Sequence, residues 1–158
     1  MAGAKATRGD DMKELDGFLA EYTPEVQKLA RAALAKVRKR LPGAVQLVYD
    51  NYNALVVAFG PTDRTSDVIF SIALYPRWVS FFFAHGAGLP DPQKLLKGTG
   101  TRVRHIILGS ASDFDQPAVE ALIAAALERA GDPIDASARS RTVVKMTLAK
   151  QRPRRPSA

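Results

Sequence analysis

Between Val45 and Leu108 apolar side chains recur at every second position in short runs, and that period commits the chain to a fold built around a sheet. Candidate strands span Val45–Asp50, Ala54–Phe59, Asp67–Leu74, Trp78–Phe83 and Arg102–Leu108. Asn51-Tyr52-Asn53 favours a hairpin, Gly60-Pro61 opens a longer loop through Ser66, and Tyr75-Pro76-Arg77 makes a tight connection. Connectors this short favour antiparallel neighbours. Leu55, Val57 and Phe59, then Val68, Phe70, Ile72 and Leu74, then Val79, Phe81 and Phe83 line one face. Ile69, Ser71, Ala73, Trp78, Ser80 and Phe82 give a second face that is small but still apolar. It suits close-packed helices, a partner subunit or a shallow ligand site.

Helical periodicity brackets this region. A short first helix is expected from Asp11, which with Glu14 has the spacing of a capping box, and Leu15, Phe18, Leu19 and Tyr22 form its apolar stripe. Thr23 is the expected N-cap of a second helix with Pro24 in its first turn. That helix runs to about Leu41 and buries Val26, Leu29, Ala30, Ala33, Leu34 and Val37. Asp91-Pro92 is read as the start of one helical turn through Leu95-Leu96. A last helix begins near Asp115, carries Val119, Leu122, Ile123, Ala126 and Leu127 as its buried stripe, and ends at Gly131. The expected fold is α+β: an antiparallel sheet of about five strands with N-terminal helices and a C-terminal helix packed on it. Residues 1–10 are expected to be disordered and 11–131 to form the domain. Residues 132–158 are expected to be a basic, mostly disordered tail with a possible short strand at 142–148.

Chemistry is bounded by what the chain lacks. At 158 residues it suits one domain, and with no cysteine it has no disulfide, zinc–thiolate site or cysteine nucleophile. No run approaches the roughly 20 apolar residues that span a bilayer, and the first residues carry no apolar signal core, so a soluble cytoplasmic protein with no membrane partner is expected. The net charge of +7 divides unevenly: residues 1–135 carry 16 Lys and Arg against 16 Asp and Glu, and the seven remaining cations lie beyond. Lys145, Lys150, Arg152, Arg154 and Arg155 are therefore candidate contacts to a nucleic acid through counterion release, or else a solubilising terminus.

Two further groups of residues have a chemical reading. In Gly98-Thr99-Gly100-Thr101-Arg102-Val103-Arg104, glycine amides and two same-face arginines could receive a phosphate or carboxylate, with His85 nearby in the same block. The segment fits neither a Walker A loop nor a dinucleotide fingerprint, and a turn entering an edge strand explains it equally. His85, His105 and Asp91 contain the residue types of a facial metal triad, although histidines in strands and turns are more often simply hydrogen-bonded. No nucleophile elbow or Ser–His–Asp order is present, which favours a non-catalytic binding domain over an enzyme.

The run Val79–Phe83, Gly86, Leu89-Pro90-Asp91-Pro92, Leu95-Leu96-Lys97-Gly98-Thr99-Gly100 and Arg102-Val103-Arg104-His105-Ile106, closed by Asp115, resembles the YdhG-like family, a domain of unknown function related in fold to frataxin and intracellular iron chaperones. The resemblance covers roughly residues 11–130. It implies a possible iron-handling role, with iron and an iron-accepting protein as partners and first-helix carboxylates as ligands. Asp11 and Glu14 are the nearest equivalents in this chain.

Overall fold

The computed structural model describes residues 8–156. Helices α1 (Arg8–Leu19) and α2 (Pro24–Arg40) precede strands β1 (Val45–Asp50), β2 (Leu55–Gly60), β3 (Phe70–Leu74), β4 (Val79–Phe83) and β5 (Arg104–Ile107); α3 (Pro117–Arg129) and β6 (Arg141–Thr147) follow. Three short 3-10 turns, at Thr65–Asp67, Gly86–Gly88 and Ala111–Asp115, link them. The sheet order is β5-β4-β3-β2-β1-β6, so β1 to β5 form an antiparallel meander and β6 adds a parallel edge beside β1. This is the expected α+β architecture with one more strand than the alternation between Val45 and Leu108 announces. The expected disorder of residues 1–10 falls, for residues 1–7, outside the described residues.

Thr23 caps α2 as its chemistry predicts, its hydroxyl accepting from the Val26 amide at 3.2 Å with Pro24 next in the helix. The same helix buries Val26, Ala30, Ala33, Leu34 and Val37, which press on the sheet face formed by Leu55, Val57, Phe59, Phe70, Ile72, Val79, Phe81 and Phe83. All three helices contribute to this one core: Leu15 and Leu19 come from α1, and Val119, Leu122, Ile123 and Leu127 from α3. Phe81 sits at its centre, ringed by Phe70 at 5.5 Å, Phe83 at 4.8 Å and Phe114 at 4.9 Å. The helices therefore cover the face with the larger side chains.

Four local expectations are corrected. Asp11 does not cap α1, which already begins at Arg8; its carboxylate instead accepts from the Val144 amide at 3.0 Å and ties α1 to β6. Residues Asp91 to Leu96 make no helical turn, because the Asp91 carboxylate bonds the Leu95 and Leu96 amides at 2.9 Å and Lys94 takes a positive φ of 55°. The third strand starts at Phe70 rather than Asp67. Asp67 is drawn into the 3-10 turn, and Val68 packs with Val45, Leu47 and Ala58 on the opposite sheet face. The fifth strand starts at Arg104, not Arg102.

Beyond Asp132 the chain carries more structure than its composition suggests. The β6 strand pairs with β1 from Val45↔Arg141 to Asp50↔Thr147, and the Leu148 and Arg152 amides bond the Asp50 and Tyr52 carbonyls. Arg154 is buried, and its guanidinium donates to the Asp50 carboxylate at 2.8 Å and the Asn51 carbonyl at 2.6 Å. The paired arginine charge is what allows a nominally polar terminus to enter the domain.

Tyr22 links helices and sheet at this same end. It is fully buried; its hydroxyl donates to the Leu74 carbonyl and accepts from the Leu55 amide, both at 3.1 Å. Burial pushes its pKa up to about 12, although the Arg154 charge opposes the shift. A raised folded-state pKa contributes stability that is complete below the unfolded value of 10 and is lost as pH climbs from 10 to 12. The expected loss over that window is about 2–3 kcal/mol. Urea titrations at pH 9, 10, 11 and 12 should show it, and Tyr22→Phe should flatten that part of the profile; an equal alkaline loss in the variant would show that Tyr22 is not its source.

Candidate functional site

The sequence-predicted anion segment folds as a hairpin mouth. Lys97 and His105 exchange backbone hydrogen bonds at 2.8 and 2.9 Å, closing Gly98 to Arg104 into a loop. The Arg104 guanidinium turns back on that loop, donating to the Gly100 carbonyl at 2.6 Å and the Val103 carbonyl at 2.8 Å. Arg102 is exposed and gives its carbonyl to the Ala87 amide. The Arg104 Nη1 is therefore engaged with the loop backbone rather than open over Gly98 and Gly100. The histidines separate: His105 lies against the Phe82 ring at 5.0 Å on the uncovered sheet face, and Asp91 is occupied by the Leu95 and Leu96 amides.

His85 has a different set of neighbours. It lines a cleft of about 410 Å³ with Ser66, Asp67 and Arg129 as its other polar groups, and Pro61, Val68, Ile69, Ala126, Ala130 and Pro133 as its apolar wall. One side is the loop that leaves β2 at Gly60 and returns through the Thr65–Asp67 turn; the other is the last turn of α3. The exposed Arg129 side chain passes over the Gly86–Gly88 turn. A β-carbon at Gly88 would meet its guanidinium, the flexible end of the side chain, which would then have to shift. Among the described residues neither the His85 nor the Arg129 side chain has a hydrogen bond or ion pair.

Asp67 supplies the opposite charge. Its Oδ2 accepts from the Thr62 hydroxyl at 2.6 Å and the Arg64 guanidinium at 3.1 Å. The Thr62 hydrogen bond first, opposed by burial and assisted by Arg64, holds its carboxyl below the usual carboxylate range. Its ion-pair partner is Arg64, outside the cleft lining, and not Arg129. The end of α3 closes as a Schellman motif, with the Gly131 amide on the Glu128 carbonyl and the Asp132 amide on the Leu127 carbonyl. Pro133 has no N–H to offer the Arg129 carbonyl.

Sequence reasoning reached His85 but missed Asp67 and Arg129. A signal existed for Arg129: it ends an apolar helix with alanines three and four residues before it, so no helix-face acid can neutralise it. Nothing in the sequence places Asp67 opposite it.

The remaining predicted residues lie elsewhere. Asp11 is buried, with Oδ2 on the Val144 amide and Oδ1 without a hydrogen-bond partner among the described residues; Glu14 is exposed one turn further along α1. Among the described residues, no group of three or more His, Asp or Glu could hold a metal ion. In the tail, Lys145 donates to the Asp63 carbonyl, Arg152 covers the Tyr52 ring at 5.6 Å, Arg154 is buried on Asp50, and Arg155 donates to the Glu21 carbonyl, while Lys150 is exposed. No helix among the described residues is long and apolar enough to cross a membrane. No family model, curated protein or solved structure matches this chain.

Proposed function

We propose that the protein is a non-catalytic binding domain whose cleft between the Pro61–Ile69 loop and the end of α3 receives a small molecule bearing a carboxylate or phosphate. The carrying observation is Arg129: an exposed guanidinium that lies over Gly88 with no ion pair among the described residues and lines, with His85, a 410 Å³ space. A planar guanidinium offers paired donors to an oxyanion, and a cleft of this size falls at the small end of the range of small-molecule sites, roughly 300–1,000 Å³. His85 lacks a hydrogen-bonded orienting group, so no general-base arrangement is set up around it.

The order of a helix pair, a five-stranded meander and a further helix is the one expected under the resemblance to YdhG-like and frataxin-like domains, which remains part of this proposal. Within it, iron handling through Asp11 and Glu14 is less favoured than the cleft, because one Asp11 oxygen already holds the β6 backbone. Nucleic-acid binding by the tail is less favoured for a parallel reason: Lys145, Arg152, Arg154 and Arg155 already have partners within the domain.

The test is a nuclear magnetic resonance titration of the full chain with acetate, succinate and inorganic phosphate. At least one should perturb amides from Val68, Ile69, His85 and Ala126–Ala130 in a saturable way. Loss of a charge-assisted hydrogen bond costs about 1.5–3 kcal/mol, so Arg129→Ala should weaken binding by roughly ten- to a hundredfold. Shifts scattered over the surface, or unchanged by Arg129→Ala, would remove the cleft as the binding site.

A further inference from the structure

The cleft holds more than an anion receptor needs. It places a guanidinium and a carboxylate in one wall system without joining them: Asp67 is paired with Arg64, Arg129 has no ion pair among the described residues, and both line the same space. Opposite charges that line one cleft without pairing with each other are complementary to a ligand that itself carries both charges. The helix end adds a second, independent reason. Arg129 and Ala130 belong to the last turn of α3, whose carbonyl end is negative and repels a bare anion but attracts an ammonium group. The Schellman bonds occupy the Leu127 and Glu128 carbonyls, and no hydrogen bond reaches those of Arg129 and Ala130 among the described residues. Val68, Ile69 and Ala126 line the same space and bring no hydrogen-bonding side chain to it.

We infer that the ligand is a small zwitterion of the α-amino-acid class with an apolar side chain: its carboxylate on Arg129, its ammonium toward Asp67 and the carbonyl end of α3, and its side chain along Val68, Ile69 and Ala126. This rests on the reading of the cleft as the ligand site and adds to it the cationic half of the ligand and its apolar body. His85 then stands at the carboxylate end as a second donor. Asp67 supplies the charge that separates this class from simple organic acids of the same shape.

Calorimetry on the full chain with three matched probes tests the two claims separately: L-leucine, 4-methylpentanoate, which lacks the ammonium, and L-leucinamide, which lacks the carboxylate. Leucine should bind, and each half-probe should be weaker by roughly tenfold or more. Asp67→Asn, whose amide oxygen can still accept from Thr62, should remove the advantage of leucine over 4-methylpentanoate and should not weaken 4-methylpentanoate itself. If 4-methylpentanoate binds the unaltered protein as well as leucine does, or Asp67→Asn leaves the advantage of leucine intact, the zwitterion inference is overturned while the anion site stands. If leucinamide equals leucine and Arg129→Ala changes neither, the anion site itself fails. No saturable heat with any of the three overturns the inference outright.

Discussion

Arg154→Ala is expected to destabilise the domain by about 3–5 kcal/mol, the cost of removing one partner from a buried ion pair. Arg154 and Asp50 are 5% and 3% exposed and meet at 2.8 Å. The arginine also serves the Asn51 carbonyl at 2.6 Å and lies over the Tyr22 ring at 5.7 Å. Truncating it strands the Asp50 carboxylate in a nearly dry site and releases the terminus from the β1–β2 hairpin. In a chain of this length the loss should lower the melting temperature by roughly 6–20 °C. Hydrogen exchange should quicken first at the Leu148 and Arg152 amides, which bond the same hairpin. The pair is not expected to exceed a well-packed apolar substitute, since desolvation offsets much of its attraction, and the Arg154 Nε has no partner. The double variant Asp50→Leu, Arg154→Met should therefore recover most of the stability. A single variant that melts within a degree or two of the parent would mean the C-terminal segment is not docked in solution.

Phe81→Ala should cost a similar amount, about 3–5 kcal/mol, for a different reason. Phe81 is 1% exposed and meets Phe70, Phe83 and Phe114, which belong to β3, β4 and the Ala111–Asp115 turn. Removing the ring forfeits its transfer energy and leaves a cavity that strands paired on both sides cannot close. Denaturant unfolding should show a lower midpoint with an unchanged slope. Phe82→Ala is the control: its neighbour in sequence points to the opposite, uncovered face against His105, and its loss should be several-fold smaller. Equal losses at the two positions would contradict the assignment of the helix-covered face.

Period-two alternation made β1, β2 and β4 legible to within a residue, and capping chemistry located α2 to its first residue, because both signals are local. The candidate site was legible only at His85. Gly98, Gly100, Arg102 and Arg104 have the composition of an anion loop, but the Arg104 Nη1 donates to the carbonyls of its own loop, a competition that sequence spacing does not reveal. Asp11 was misplaced for a related reason: a carboxylate near a helix start reads as a cap, and only β6, more than a hundred residues on, supplies the amide it holds.

Residue pattern alone determined the helix pair, the meander and the closing helix, since each depends on contacts within a few positions of chain. The tertiary structure decided which sheet face the helices cover, that β6 joins β1 in parallel, and that a basic terminus is anchored by one buried arginine. It also decided that Asp67, His85 and Arg129 share a cleft. Those outcomes depend on long-range closure, in which burial turns a charge that would favour solvent into a paired anchor.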